Sequence, residues 1–176
     1  MIKEIQKSSE VKFDGKLLKL TYDIADVNGK DAGREVVHHP GATAIVAITE
    51  EGKVVMERQF RYALSQSLLE IPAGKLDGSE DPLHCAQREL AEETGYTAKE
   101  WISLGTIATS PGFCNEVLHL YLAKGLTKGE TNWDSDEYIE LEYYTLAELM
   151  VAIQNESIKD SKSLAALMLA VPHIAR

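Results

Sequence analysis

Residues 74–96 read GKLDGSEDPLHCAQRELAEETGY, a stretch of the chain that gathers glycines and carboxylates closely. Gly74 opens the stretch, Glu80 follows six positions later, and Arg88-Glu89 stands eight beyond that. Leu90-Ala91-Glu92-Glu93-Thr94-Gly95-Tyr96 completes it. The order predicts a glycine-bearing loop and then a short helix. Ser79 or Asp81 can cap that helix, Pro82 suits its first turn, and Gly95 stops it. Leu83, Ala86, Leu90 and Thr94 recur at helical spacing and give it a buried face. Glu92 and Glu93 lie three and four positions after Glu89, so all three carboxylates can converge on one point. Such a cluster repels itself unless a cation sits in it. An all-oxygen set suits Mg²⁺ or Mn²⁺ rather than zinc, and Mg²⁺ commonly completes its shell with water and substrate phosphates. Arg88 can orient a carboxylate, and Glu80, near the helix start, can pair with Arg88.

The whole chain sets the bounds. Its 176 residues suit one domain, or a domain with a small appendage. A composition 44% hydrophobic and 26% charged is enough to build a core. No apolar run approaches the roughly 20 residues a membrane span needs, and MIKEIQKSSE lacks the apolar centre of a signal peptide. Cys85 and Cys114 have no metal-like or redox-like spacing and read as reduced thiols of a cytoplasmic protein. A net charge of −10 argues against non-specific nucleic-acid or anionic-membrane partners. An anionic substrate then requires a metal or clustered arginines to invert the local field.

Residues 1–39 read as a β-rich lead-in, strand-like over 17–27 and 34–39, with Asn28-Gly29 as a hairpin signal. Residues 40–176 read as the main domain. Strands are predicted at 42–48, 53–60, 68–71, 102–108, 117–123 and 139–144. Thr145 with Glu148 forms a capping box that opens a helix to about Asn155, and a last helix runs over about 161–170, ending near Pro172. The sum is an α+β fold, an α/β/α sandwich.

An acidic helix face is often merely solvated. Here, however, every position of Gly-x5-Glu-x7-Arg-Glu-U-x-Glu-Glu-x-Gly-U is met, with Leu90 and Tyr96 in the bulky apolar U sites. The segment closely resembles the signature of the Nudix hydrolase family. Tyr96 is a mild departure, aromatic where an aliphatic residue is usual. The resemblance implies the Nudix fold and hydrolysis of a nucleoside diphosphate linked to another group. It implies metal ligation by Glu89, Glu92 and Glu93, with the backbone carbonyl of Ala73 as a fourth ligand.

The flanking stretches Glu57-Arg58-Gln59-Phe60-Arg61, Leu69-Glu70-Ile71-Pro72-Ala73-Gly74 and Ser110-Pro111-Gly112 resemble the ADP-ribose pyrophosphatase branch, with Pro111 sixteen residues beyond Gly95. GDP-mannose hydrolases of the same fold share parts of this pattern. The resemblance implies Mg²⁺-dependent cleavage of ADP-ribose to AMP and ribose 5-phosphate. Sugar nucleotides, oxidised nucleotides and a non-catalytic ADP-ribose sensor are the alternatives. Arg61 can bind the diphosphate as a fork, and Glu116 can accept bonds from a ribose hydroxyl. Glu70 sits among apolar neighbours and needs a partner, either substrate or a structural arginine. Arg34 resembles a lead-in position that reaches across a homodimer to adenine or phosphate. His38 and His39 read as structural.

In this branch the general base tends to be a glutamate on a loop outside the signature. Glu137, in the run Asp134-Ser135-Asp136-Glu137, is the candidate, with Asp134, Asp136 or Glu93 as substitutes. The lead-in supplies few apolar positions for an independent core, and the resemblance implies that it packs across a homodimer.

Overall fold

A computed structural model describes residues 3–132 and 138–174. The chain divides into two compact units. One comprises Met1–Gly41 with Ala108–Val117, and the other comprises Ala42–Ile107 with Leu118–Arg176.

The first unit is a three-stranded antiparallel sheet of β1 (Glu4–Asp14), β2 (Lys19–Val27) and β3 (Lys30–His38), in that order. Asn28 and Gly29 both take positive φ, 54° and 83°, as a tight hairpin between β2 and β3 requires. The sequence pattern missed β1 because every one of its residues is exposed, so no alternation of apolar and polar positions marks it. What β2 buries is largely polar. The Asp23 carboxylate accepts from Ser9 Oγ at 2.6 Å and Gln6 Nε2 at 2.8 Å. Thr21 Oγ1 lies 3.0 Å from His38 Nε2, a structural place for that histidine. The 108–117 stretch joins β3: Val37 N–H donates to Phe113 O at 2.7 Å, and Asn115 N–H to Val37 O at 3.1 Å.

The second unit is built on β4 (Ala42–Ile48), β5 (Lys53–Arg61), β6 (Gln66–Glu70), β7 (Ala73–Lys75), β8 (Tyr96–Ala108), β9 (Val117–Lys128) and β10 (Ile139–Thr145). The main path runs β10-β5-β4-β9-β8, with β6 on β5 and β7 on β4. β4 pairs parallel to β9 and antiparallel to β5 and β7. Residues 42–47 are buried without a break, the pattern of a strand covered on both faces.

Among the described residues, three α-helices cover this sheet: α1 (Pro82–Thr94), α2 (Leu146–Gln154) and α3 (Ser161–Ile174). The alternation of β4 deals its side chains to two cores. Ala44 and Val46 join Val54, Met56, Leu120 and Leu122 under Leu149 of α2 and Leu167 of α3. Ile45 and Ala47 join Val55 and Ala123 under Ala86 and Leu90 of α1. Helices thus lie on both faces, the expected α/β/α sandwich of an α+β fold. A buried leucine such as Leu90 contributes about 1.5–3 kcal/mol to holding α1 down.

The local signals of α1 and α2 hold. Asp81 caps α1, accepting from Leu83 N–H at 2.9 Å and His84 N–H at 3.2 Å, and Gly95 ends it at φ 71°. Thr145 and Glu148 form the capping box of α2. The differences lie at edges. The stretch after Pro72, read as loop, forms β7, because Ala73–Lys75 finds β4 as a partner. β8 begins directly at Tyr96, and β9 runs on to Lys128. α3 continues past Pro172 to Ile174, and Lys124 Nζ satisfies the late carbonyl of His173 at 2.9 Å. One lost N–H in a final turn is cheaper than one in mid-helix.

Candidate active site

The carboxylates of α1 face the β7 backbone and Arg88. A Cβ built on Gly74 would stand 1.8 Å from Glu89 Cδ, so the Glu89 carboxylate occupies the space a side chain would take. One turn on, Glu93 is buried, and its Oε2 accepts the N–H of Ala73 at 2.9 Å. Only a bare backbone at Gly74 leaves room for the Glu89 carboxylate in this position.

Arg88 is the positive centre of the cluster. Its Nη1 donates to Glu89 at 2.8 Å and to Glu92 at 3.0 Å, while Nε and Nη2 reach Glu80 at 3.2 and 3.0 Å. Nη2 also donates to Lys75 O at 3.2 Å, tying the helix to the end of β7. The expected Glu80–Arg88 pair is therefore present. Hydrogen bonding to Arg88 holds the Glu80 carboxyl below its ordinary range. The hydrogen bond to Glu80, with the charge of Glu89 and the hydrogen bonds to Glu92 and Glu89, raises the Arg88 guanidinium. The spacing argument allowed all three glutamates to converge on one point. Instead, Glu89 and Glu92 meet on Arg88 while Glu93 turns to Ala73, and no three His, Cys, Asp or Glu side chains among the described residues group closely enough to hold an ion. The donor set still fits a hard divalent cation, with Glu89 and Glu93 beside the backbone of Gly74 and Ala73 and Glu92 next to them on α1.

Behind this turn lies a charge network that the sequence reading resolved only in part. Glu70 is buried, and the Arg61 fork grips it, Nε to Oε1 at 2.8 Å and Nη2 to Oε2 at 2.6 Å. Its partner is thus an arginine. Lys162 of α3 also donates to Glu70 Oε2 and pairs with Asp160 at 3.0 Å. Burial pushes the Glu70 carboxyl up, but hydrogen bonds from Arg61 and the charge of Lys162 outweigh it and leave the carboxyl below its ordinary value. Sequence reasoning missed Asp160 and Lys162, whose only sequence signal is Asp160 three residues before Ser163 at a helix start. Cys85 is buried beneath Arg88, and burial pushes its thiol up to about 11, an environment that disfavours the thiolate.

The remaining candidates belong to the first unit. Arg34 is held by Glu4, with Nε to Oε2 at 2.8 Å and Nη2 to Oε1 at 2.9 Å. Glu116 accepts from Thr109 Oγ1 at 2.7 Å and lies 3.3 Å from His39 Nδ1. His39 Nδ1 in turn accepts the Gly41 N–H at 3.1 Å, a structural position. Pro111 sits in a turn closed by Phe113 N–H and Cys114 N–H on Ser110 O, at 3.1 and 2.9 Å. Glu137 lies outside the described residues, as do Asp134 and Asp136.

A seven-stranded sheet lies between helices, and α1 sets Glu89 against Gly74 and Glu93 against the Ala73 N–H, with Glu92 on Arg88. The NUDIX domain family matches residues 37–167, and the chain belongs to that family as a Nudix hydrolase. It is 48% identical to the methanol dehydrogenase activator of Bacillus methanolicus over 88% of this chain and 85% of that protein. It is 42% identical to the ADP-ribose pyrophosphatase of Bacillus subtilis over 86% and 83% of the two chains. Among solved structures, an ADP compounds hydrolase superposes with a TM-score of 0.87 over 98% of this chain and 95% of that one. At 20% sequence identity this supports the shared fold. No helix among the described residues is long and apolar enough to cross a membrane.

Proposed function

We propose that this protein hydrolyses the diphosphate of ADP-ribose to AMP and ribose 5-phosphate, with Mg²⁺ as its metal and Mn²⁺ as a substitute. The observation that carries the reading is the seating of Glu89 on Gly74 and of Glu93 on the Ala73 N–H. It brings two of the signature's oxygen donors to one backbone turn, with Glu92 bonded to Arg88 beside them. The relative called ADP-ribose pyrophosphatase, matched over most of both chains, supports the choice of substrate.

Glu89, Glu92, Glu93 and the Ala73 carbonyl would hold the metal. A divalent cation bound there neutralises the diphosphate and makes its phosphorus more electrophilic. The protein's own groups do the rest. Water attacks one phosphorus in line, the bridging P–O bond breaks, and the two phosphomonoesters part. Glu137 takes the proton from the attacking water as general base, a role open also to Asp134, Asp136 or Glu93. Arg61 brings positive charge toward the diphosphate while two of its nitrogens hold Glu70. Arg34, Pro111 and Glu116 are proposed as contacts to the nucleoside and ribose.

The same reading makes the protein a cytoplasmic homodimer. Ile5, Val11 and Phe13 of β1 are 65%, 49% and 59% exposed, apolar surface that a second copy would cover. Light scattering that finds a fully active monomer would overturn the dimer.

The test of function is a panel of ADP-ribose, GDP-mannose, dinucleoside polyphosphates and 8-oxo-dGTP, each assayed with Mg²⁺ and with Mn²⁺. ADP-ribose should give the highest kcat/KM, and a clear preference for another member would overturn the substrate. A second reading comes from the relative called methanol dehydrogenase activator. If it holds, adding the protein should raise the turnover of a methanol dehydrogenase, and no change in that assay would set it aside.

A further inference from the structure

The start of α3 lies far along the chain from the carboxylate turn, yet it grips the segment that leads into it. Ser163 is fully buried, its Oγ accepts the Ile71 N–H at 2.9 Å and donates to Asp160 Oδ2 at 2.6 Å. Asp160 Oδ2 also accepts the Ser163 N–H at 2.9 Å and pairs with Lys162 Nζ at 3.0 Å. Lys162, 12% exposed in its side chain, reaches on to Glu70 Oε2. The next two residues are pinned from other sides. Ile45 N–H donates to Pro72 O at 2.8 Å, and Ala73 N–H donates to Glu93 at 2.9 Å. Residues 70–73 are therefore held one after another: Glu70 by Arg61 of β5 and Lys162 of α3, Ile71 by Ser163 of α3, Pro72 by β4 and Ala73 by α1.

Satisfying the buried Ile71 N–H needs only the Ser163 hydroxyl. The charged extension through Asp160, Lys162 and Glu70 removes ions from water, which is costly unless their geometry is well matched. Its effect is to hold the side chain of Glu70, three residues before Ala73, and metal ligands depend on such outer partners for their orientation.

We propose that Asp160, Lys162 and Ser163 are positioning residues for the metal turn. Through Glu70 and Ile71 they fix the chain at Ala73, and with it the stance of Glu93 toward a divalent cation. The proposal rests on the metal reading given above.

The test measures Mn²⁺ binding without substrate, from the electron paramagnetic resonance of the free ion. The proteins compared are the parent, Ser163→Ala, Lys162→Met and Lys162→Arg. Ser163→Ala and Lys162→Met should bind Mn²⁺ about 10-fold more weakly at unchanged circular dichroism, and Lys162→Arg should bind close to the parent. In activity titrations the Mg²⁺ needed for half-maximal rate should rise by a similar factor, with a smaller change in kcat at saturating metal. Mass-spectrometric amide exchange of peptides covering 70–75 should quicken in both weakened variants. A parent that binds no Mn²⁺ overturns the metal reading itself. A parent that binds, with folded Ser163→Ala and Lys162→Met binding equally well, overturns the positioning role alone. If Lys162→Met does not fold, Ser163→Ala decides, since it removes a single hydroxyl. Lys162→Arg binding as weakly as Lys162→Met overturns the part played by the Lys162 charge.

Discussion

The carboxylate of Glu89 lies where the side chain of residue 74 would stand, with Cδ 1.8 Å from an ideal Cβ on Gly74. The first glycine of the signature therefore has a steric function. Its φ is not among the positive ones, so the need is for space and not for a left-handed backbone. Gly74→Ala should leave the fold intact, because the atoms it meets are the far end of a flexible side chain. It must push the Glu89 carboxylate aside, and an ångström of misplacement can cost about 10²-fold in rate. A kcat/KM within a factor of two of the parent, with a normal melting curve, would show that the close approach has no catalytic consequence.

Glu93→Gln keeps an oxygen that can accept the Ala73 N–H, so the bond now 2.9 Å long has a replacement and the melting temperature should barely move. The lost charge should cost metal-dependent turnover about 10²-fold or more, at or beyond the top of the range for an outer partner of a metal ligand. Equal hydrolysis by parent and variant at saturating Mg²⁺ would refute Glu93 as a ligand.

Arg88→Met leaves Glu80, Glu89 and Glu92 without the guanidinium that now touches all three. Glu80 titrates below its ordinary range because Arg88 bonds its charged form. A carboxyl shifted this way stabilises the fold above its unfolded pKa, about 4.3, and that stability is lost as pH falls through the lower folded value. The variant should therefore melt below the parent at pH 7, and the gap should narrow as pH falls below 4. Differential scanning calorimetry across that range checks the sign, and a gap that widens in acid contradicts the assignment.

Glu137→Gln should lower kcat by roughly 10²–10⁴-fold if Glu137 is the base, with KM little changed. A near-normal kcat would move the role to Asp134, Asp136 or Glu93, which the corresponding amide variants would then separate.

Much of α1 was legible because its information is local. Asp81, Pro82 and Gly95 act on neighbouring backbone groups, and Glu89, Glu92 and Glu93 fall on one face by helical period alone. The same holds for the Thr145–Glu148 box, whose partners are three residues apart. β1 was not legible, since a fully exposed strand carries no burial pattern and is defined by pairing with β2. Nor did sequence choose between substrate and arginine as the partner of Glu70.

By itself, then, the sequence determined the family, the carboxylate helix and its caps, because these depend on residues within a turn or two of one another. The tertiary structure decided which charges meet. It turned the Arg61 fork onto Glu70, brought Lys162 and Ser163 to Glu70 and Ile71 across 92 residues of chain, and set Glu89 against Gly74. Contacts across 92 residues form only when strands and helices pack against the sheet, and no local pattern of residues encodes them.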